Sequence, residues 1–480
     1  MDPSFLPAWR LAELTRGGAI GCAELLEHYL ARVARLDARL NAVVVTDLPR
    51  ARARAKHLDS LPRDAAGPLF GVPMTVKESF DVKDLPTTRG HADQRDHRAP
   101  ADALLVARLE QAGAVVFGKT NVPVDLGDWQ SYNGLYGTTS NPWNLAHTPG
   151  GSSGGSAAAL AAGLGGLELG SDIGGSIRVP AHFCGLFGHK PTWGLLPATG
   201  FAPSDAGAMV DIAVSGPLAR SARDLALALD VLAGPDPAET GLTLNLPAPR
   251  ATRLDALRVA VWAEQPGHAT EAETVALLGA LADRLEAEGA RVCRTARPEF
   301  DADDAFQLYG TLLGATFAAR RPEAALIAMQ AAKAQLRPDD RSADAAITRA
   351  ADLSFREWYA LNQRRHAIRR AWSAFFRDWD VLLCPAFGTA ALPHMQDGQT
   401  WERQVGVDGR SVPYNDLLFW AGLTCGYHLP ASVAPLGLSR AGLPIGVQIA
   451  GPIYGDRTTI AVAGLLEAAW RGFTPPPGWN

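Results

Sequence analysis

Two segments rich in glycine and serine contain the residue types that an acyl-transfer site requires. Residues 150–156 read GGSSGGS, and residues 171–178 read SDIGGSIR. Glycine reaches backbone angles closed to other residues, so adjacent glycines can aim successive amide N–H groups at one point. The hydroxyls of Ser152, Ser153 and Ser176 could supply a nucleophile and a proton relay if a base lies near. The two segments therefore predict an oxyanion hole beside a nucleophilic serine.

Residues 150–156 have other interpretations when taken alone. They are typical of a flexible linker, or of a turn that caps the Ala-rich helix predicted over residues 156–162. Residues 151–155 also match the nucleophile-elbow pattern G-x-S-x-G, with Ser153 as nucleophile, although the preceding residues are poor strand sequence. The second segment favours a site, because its glycines follow a short predicted strand and lead directly into IRVP.

Histidine and lysine are both candidates for the base. His182 or His189 could act on Ser176, with Asp172 or Asp205 as the orienting carboxylate, in a Ser-His-Asp triad. A single histidine in a chain with 11 of them is more often a hydrogen-bonded structural residue.

Lys77 is the third candidate, at the end of the apolar sequence GVPMTVK. Burial of an ammonium lowers its pKa, and only a neutral amine can act as a base. Moving the pKa from about 10.4 to near neutrality takes roughly three units, or about 4 kcal/mol, which a buried pocket can impose. The alternative is that Lys77 pairs with Glu78 or extends to the surface.

These motifs resemble those of the amidase signature family, whose members use a Ser-cisSer-Lys triad. The resemblance covers most of the chain and is weakest over residues 300–378. It implies the amidase signature fold and hydrolysis of a linear amide, with esters, anilides and carbamates as further substrates. Shorter segments that agree with the family are residues 118–121, 141–143, 183–185, 190–192 and 442–448.

The resemblance also implies a role for individual residues. Ser176 is the implied nucleophile, Ser152 the bridging serine after a cis peptide bond, and Lys77 the base. Glu78 stands where the family commonly has aspartate, which changes neither the charge nor the triad. The remaining implied roles are an oxyanion hole from the amides of Ile173, Gly174, Gly175 and Ser176, support from Ser153, Asp172 and Arg178, and substrate contacts from Leu126 and Ser152.

The elements that must position these residues alternate between helix and strand, which predicts an α/β protein. We expect a large mixed β-sheet flanked by helices on both faces. No long linker or internal repeat is present, so residues 1–480 are expected to form one domain, with a core at about 65–235 and a helical insertion at about 300–378. The predicted helices are 25–36, 48–58, 102–111, 156–162, 271–288 and 458–470. The predicted strands are 42–45, 114–117, 167–169, 258–262, 381–384, 431–435 and 445–450, with a further short strand that ends at residues 76–77.

Composition excludes several classes of protein. The 480 residues include 45 Lys+Arg and 50 Asp+Glu, for a net charge of −5, too weak a field to attract nucleic acid or an acidic membrane. The weakly charged stretches 144–167 and 421–439 contain too many polar residues, glycines or prolines to span a bilayer. Residues 1–11 do not resemble a secretory signal, so a cytoplasmic location is expected.

The expected partners are few. Five cysteines, without a CxxC pair, argue against a disulfide framework or a cysteine-based zinc site, and no metal or cofactor is expected. The expected partner is a small-molecule amide, and the resemblance implies a homodimer. A glutamine-hydrolysing subunit of a tRNA-dependent amidotransferase and a catalytically silent binding protein are the alternatives. Trp129, Tyr132, Trp420 and part of residues 300–378 are candidates for the substrate pocket, although single aromatic residues are more often core.

Overall fold

A mixed β-sheet of eleven strands runs through the described part of the chain. The computed structural model describes residues 2–62, 67–201 and 208–479. Two small two-stranded sheets accompany the large one. The strands are β1 (Val43–Thr46), β2 (Pro73–Lys77), β3 (Val115–Thr120), β4 (Tyr132–Asn133), β5 (Gly137–Thr138), β6 (Glu168–Asp172), β7 (Phe187–Lys190), β8 (Val214–Ala219), β9 (Arg258–Val261), β10 (Arg291–Cys293), β11 (Val381–Pro385), β12 (Gln404–Val407), β13 (Arg410–Pro413), β14 (Ala431–Leu438) and β15 (Pro444–Ala450).

The strand order in the large sheet is β1-β3-β2-β6-β8-β7-β14-β15-β11-β9-β10. Strand β2 pairs in parallel with β3 and β6, whereas β8 pairs antiparallel with β6 and β7. Every residue of β2, β3, β6 and β15 is buried, which requires helices on both faces of the sheet. The expected fold class is confirmed.

Fourteen α-helices surround this sheet within the described residues. None of them is both long and apolar enough to cross a lipid bilayer. The helices are α1 (Ala8–Arg16), α2 (Cys22–Leu36), α3 (Leu48–Ser60), α4 (Leu104–Gln111), α5 (Gly154–Ala161), α6 (Arg178–Cys184), α7 (Ala222–Leu232), α8 (Ala272–Ala287), α9 (Ala302–Ala318), α10 (Glu323–Lys333), α11 (Ala343–Thr348), α12 (Phe355–Asp378), α13 (Phe419–Cys425) and α14 (Asp456–Ala469).

The elements that hydrophobic periodicity predicted are present, with small shifts at their ends. The Ala-rich helix begins at Gly154, and the strand predicted over 167–169 extends to Asp172. Sequence reasoning missed several elements, which are α1, α6, α7 and α13 among the helices and β4, β5, β7, β8, β10, β12 and β13 among the strands. Strand β8 reads VSGPLA, and its glycine and proline are atypical of a strand. Pairing with β6 and β7 on either side nevertheless holds it in the sheet.

Strands β2 and β6 bring the two ends of the site together. They are parallel neighbours, with Val76 opposite Leu169, so their carboxyl ends reach the same edge of the sheet. Lys77 is the last residue of β2, and Asp172 is the last residue of β6. The glycine-rich segment after Asp172 therefore begins beside Lys77.

Helices α9 to α12 occupy residues 302–378, where the sequence predicted a mostly helical insertion. One hydrophobic cluster extends from Ala8 to Leu466 and includes residues of α9 and α12. We propose from this continuity that the chain forms a single domain.

Candidate active site

Lys77 is completely buried and points at two serine hydroxyls. Its Nζ donates to Ser152 Oγ at 2.6 Å and to Ser171 Oγ at 2.9 Å. Burial lowers the pKa of the Lys77 ammonium to about 7, although the negative charge of Asp172 opposes the shift. A large fraction of Lys77 is therefore neutral at physiological pH and able to accept a proton.

Glu78 does not pair with Lys77. Its carboxylate accepts hydrogen bonds from the backbone amides of Thr88 and Arg89. Lys77 does not extend to the surface either, so both structural alternatives for this lysine are wrong.

The two serines of the predicted relay lie on neighbouring segments. The peptide bond between Gly151 and Ser152 is cis, as the resemblance implied. The Ser153 amide donates to the Ser176 carbonyl at 3.2 Å, which holds the two glycine-rich segments side by side. Among the described residues the Ser176 hydroxyl takes part in no hydrogen bond, including with Ser152, and Ser176 borders a cavity. The structure thus joins Lys77 to Ser152 directly and leaves the Ser176 hydroxyl free at the cavity.

Three of the four amides predicted for the oxyanion hole are available to a ligand. The amides of Ile173, Gly174 and Ser176 donate to no described residue, and all three residues line the cavity. The Gly175 amide instead donates to Asp172 Oδ1 at 2.9 Å. Gly175 has a φ of +99°, and a Cβ there would lie 2.8 Å from Val179 Cγ2, so this position requires glycine for the turn itself.

Asp172 holds the turn after β6 from inside. Its carboxylate also accepts hydrogen bonds from the amides of Ile177 and Arg178, at 3.1 and 3.3 Å. The Arg178 guanidinium donates to both carboxylate oxygens, at 2.8 and 3.0 Å, and holds the pKa of Asp172 well below its usual range. Both side chains are fully buried, so the pair is a structural anchor for the glycine-rich turn.

Ser153 connects the segment 150–156 to strand β6. Its hydroxyl donates to the Ser171 carbonyl and accepts from the Ser171 amide, both at 3.3 Å. The position fits the supporting role that the resemblance implied. Because its hydroxyl is bonded to the Ser171 backbone, Ser153 does not fit the role of nucleophile. In addition, no strand leads directly into residues 151–155, as a nucleophile elbow requires.

Neither histidine lies in contact with Ser176. His182 Nδ1 bonds the Gly446 amide at 2.7 Å and its Nε2 bonds the Thr389 carbonyl at 2.8 Å, while burial lowers its pKa to about 4. His189 bonds Ser432 and Asp456. The structure therefore does not support a Ser-His-Asp triad with His182 or His189. The alternative carboxylate, Asp205, lies outside the described residues.

A cavity of about 490 Å³ opens over Ser176. Leu126, Trp129 and Tyr132 line it, as does part of the helical insertion. Trp420 does not, because it is buried in the core, where its Nε1 donates to Thr270. The residues that α9 and the turn after it contribute to the cavity are Leu313, Phe317, Arg320, Arg321 and Pro322.

Sequence reasoning missed two residues at this site. Ser171 accepts a hydrogen bond from Lys77, and its position directly before Asp172 in the second segment was an available signal. Tyr309 donates from its hydroxyl to the Ile173 carbonyl at 3.1 Å. No local pattern marks Tyr309, because the contact joins residues 136 positions apart.

Comparison with known proteins identifies the family. The family model described as Amidase matches residues 24–460. The chain belongs to the amidase family. The resemblance to amidase signature enzymes is thereby confirmed, and this amidase is a hydrolase that acts on amide bonds.

Individual relatives of this amidase span nearly its full length. It is 36% identical to a putative amidase from Mycobacterium tuberculosis, over 98% of both chains. It is 32% identical to a subunit of the glutamyl-tRNA(Gln) amidotransferase from Synechococcus, over 98% of this chain and 97% of that one. A solved bacterial aryl acylamidase of the amidase signature family superposes with a TM-score of 0.79 at 25% identity, over 99% of both chains.

Proposed function

We propose that this amidase cleaves linear amides through an acyl-enzyme on Ser176, with Ser152 as bridging serine and Lys77 as base. The observation that carries the proposal is the 2.6 Å contact between the fully buried Lys77 Nζ and Ser152 Oγ, on the segment adjoining Ser176. A buried amine whose pKa lies near 7 can exchange protons with a serine hydroxyl at neutral pH.

In the first half-reaction the Ser176 oxygen attacks the amide carbonyl carbon. Its proton passes to Ser152 Oγ as Ser152 releases its own proton to Lys77 Nζ. This relay requires Ser176 Oγ to turn toward Ser152 when substrate binds. The tetrahedral intermediate collapses as Lys77 returns the proton through Ser152 to the leaving nitrogen, so the C–N bond breaks and the amine departs.

In the second half-reaction water attacks the acyl-enzyme by the same route. Lys77 takes the water proton through Ser152, and the proton then returns to Ser176 as the ester bond breaks and the carboxylic acid leaves. The amides of Ile173, Gly174 and Ser176 are our proposed donors to the oxyanion in both half-reactions. Loss of one such donor typically costs about 3 kcal/mol of transition-state stabilisation.

The cavity favours a small-molecule amide with an apolar acyl or aryl group. Leu126, Trp129, Leu313, Phe317 and Leu418 supply apolar surface to the cavity that Ser176 borders. We propose that Leu126 contacts the acyl group and that esters, anilides and carbamates enter by the same route. A homodimer and a cytoplasmic location remain predictions from the sequence.

A glutaminase subunit of a tRNA-dependent amidotransferase is the second candidate. The 32% identity to the Synechococcus amidotransferase chain favours it. Such a protein would hand ammonia to a partner chain, so its glutaminase activity should depend on other subunits.

One panel of substrates separates the candidates. A single preparation is assayed on acyl p-nitroanilides, fatty amides, aryl amides and glutamine, with and without amidotransferase partner subunits. We expect turnover of anilides or aryl amides by the isolated chain and covalent labelling of Ser176 by a fluorophosphonate, read by peptide mass spectrometry. Turnover of glutamine and of no other substrate, seen only when the partner subunits are present, would favour the second candidate. Absence of the label from Ser176 would overturn the proposed mechanism and favour a silent binding protein.

A further inference from the structure

Each carbonyl of the turn after β6 has its own hydrogen-bond donor. The donors come from four different parts of the chain, two of them side chains and two of them backbone amides. The pairs are Ile173 O with Tyr309 Oη at 3.1 Å, Gly174 O with Trp129 Nε1 at 2.8 Å, Gly175 O with Val179 N at 2.7 Å and Ser176 O with Ser153 N at 3.2 Å.

These carbonyl contacts set where the amides point. In a trans peptide the C=O of one residue and the N–H of the next lie in one plane and point in opposite directions. A donor on the Ile173 carbonyl therefore turns the Gly174 N–H the other way. Gly174 lines the cavity, so this N–H is one of the three amides proposed for the oxyanion hole.

The two side-chain donors, Trp129 and Tyr309, differ in how strongly the orientation of a peptide plane depends on each of them. Trp129 holds the plane that contains the Gly175 N–H, and Asp172 Oδ1 already holds the same plane from its other side. Tyr309 is the side chain that holds the plane containing the Gly174 N–H, whose amide has no partner among the described residues. Of these two side chains, Tyr309 is thus the one that controls a free donor.

The ring of Tyr309 has little freedom to move. Tyr309 is fully buried, and a Cβ at Gly422 of α13 would lie 2.5 Å from its Cδ1. Burial raises the pKa of the hydroxyl well above its usual value, so the group stays protonated and keeps donating.

We propose that Tyr309 is a positioning residue for the oxyanion hole, through the hydrogen bond that orients the Ile173–Gly174 peptide. The inference rests on the proposed function, since it assigns the Gly174 N–H to the oxyanion. It gives helix α9, within the helical insertion, a part in catalysis as well as in lining the cavity.

The matched control is a second buried tyrosine, which contacts helix α9, the helix that carries Tyr309. Tyr427 is also buried, and its hydroxyl donates to a backbone carbonyl of α9, that of Ala305, at 2.6 Å. Tyr309→Phe and Tyr427→Phe each remove one buried hydrogen bond of the same kind. A purely structural role predicts similar effects for both.

The measurement is the second-order rate of Ser176 labelling by an ethoxy fluorophosphonate, with kcat and KM on the best p-nitroanilide. Phosphonylation places charge on an oxygen in the oxyanion hole. We expect Tyr309→Phe to lower the labelling rate and kcat roughly 10- to 100-fold with little change in KM, short of the ~10²- to 10³-fold that loss of a whole donor costs. Tyr427→Phe should stay within about twofold of wild type.

An equilibrium binding measurement separates misorientation of the Gly174 N–H from a general distortion of the site. A trifluoromethyl ketone that adds to Ser176 should bind Tyr309→Phe more weakly by the same factor as kcat falls, whereas the matching secondary alcohol should bind equally well. Equal labelling rates in the two phenylalanine variants, or equal weakening for ketone and alcohol, would overturn the proposal.

A second variant keeps the test valid if Tyr309→Phe does not fold. Replacement of Tyr309 by 4-aminophenylalanine fills the same space and keeps a weaker N–H donor. We expect its labelling rate to lie below that of wild type, while the same replacement at Tyr427 leaves the rate within about twofold of wild type. A rate equal to wild type would overturn the proposal. Wild-type protein that does not label at Ser176 would instead reject the proposed function, so the two failures are distinguishable.

Discussion

The Lys77 ammonium nitrogen lies 2.6 Å from the Ser152 hydroxyl oxygen, in a site where Lys77 is fully buried. The contact joins the end of strand β2 to the glycine-rich segment that precedes α5. Its chemical value depends on the charge of the lysine, because only the neutral amine accepts a proton.

Activity should therefore rise with pH. The Lys77 pKa is lowered to about 7, so the neutral fraction of Lys77 grows as pH increases through that value. We expect kcat/KM to be low near pH 5, half-maximal near pH 7 and level by about pH 9, measured on one p-nitroanilide in a constant-ionic-strength buffer series. A level profile from pH 5 to pH 9 in the wild-type protein would contradict the assignment of Lys77 as the base.

Lys77→Ala should lose nearly all activity in the same assay, because it removes the group that accepts the proton.

Ser176→Ala should abolish turnover and leave the fold intact. The hydroxyl makes no hydrogen bond to the described residues, so its loss breaks no internal contact. We expect kcat to fall by at least ~10³-fold, because without the Ser176 hydroxyl no acyl-enzyme can form. Thermal unfolding should match wild type within about 1 °C. Substantial residual hydrolysis would reject Ser176 as the nucleophile.

Ser171→Ala should weaken catalysis through the lysine. Its hydroxyl accepts one of the two hydrogen bonds that hold Lys77 Nζ, and this acceptor favours the charged amine. We expect kcat to fall roughly 10-fold and the midpoint of the pH profile to move to lower pH.

Ser215→Ala is the control for Ser171→Ala, since Ser215 lies opposite Ser171 on strand β8 and is also buried. Equal kcat and equal midpoints in the two variants would show that Ser171 does not act through Lys77.

His182→Ala should lower the stability of the fold and leave kcat unchanged. Its two ring nitrogens bond Thr389 and Gly446 rather than Ser176, and each buried partner left unpaired costs roughly 1–3 kcal/mol. We expect a lower unfolding midpoint in denaturant and an unchanged kcat per folded molecule. Complete loss of activity in a folded His182→Ala protein would revive the histidine base.

Asp172→Asn should destabilise the whole turn. The substitution leaves the buried Arg178 guanidinium without its carboxylate and weakens the acceptor for three backbone amides. Loss of one partner from a buried pair typically costs about 3–5 kcal/mol. Chemical denaturation measures the loss. Stability within about 1 kcal/mol of wild type would show that the pair does not anchor the turn.

Much of the site was readable from local sequence. The side-chain types of glycine, serine and lysine made the two Gly/Ser segments and Lys77 candidates, alongside His182 and His189. The resemblance to the amidase signature family then assigned the roles of Lys77, Ser152 and Ser176. Helical and strand periodicity located most of the elements, since burial of one face repeats along the chain. Strand β8 was not predicted, because pairing with its neighbouring strands, and not the pattern of its own residues, holds it in the sheet.

The sequence by itself determined the family, the fold class and the residues able to form a nucleophile, a relay and a base. Only the tertiary structure decided that Lys77 is buried against Ser152, that Asp172 takes the Gly175 amide, and that Tyr309 holds the Ile173 carbonyl. Residue type and periodicity are local properties of the chain. Burial and hydrogen-bond direction depend on which distant segments pack together, and no pattern within a segment records its neighbours.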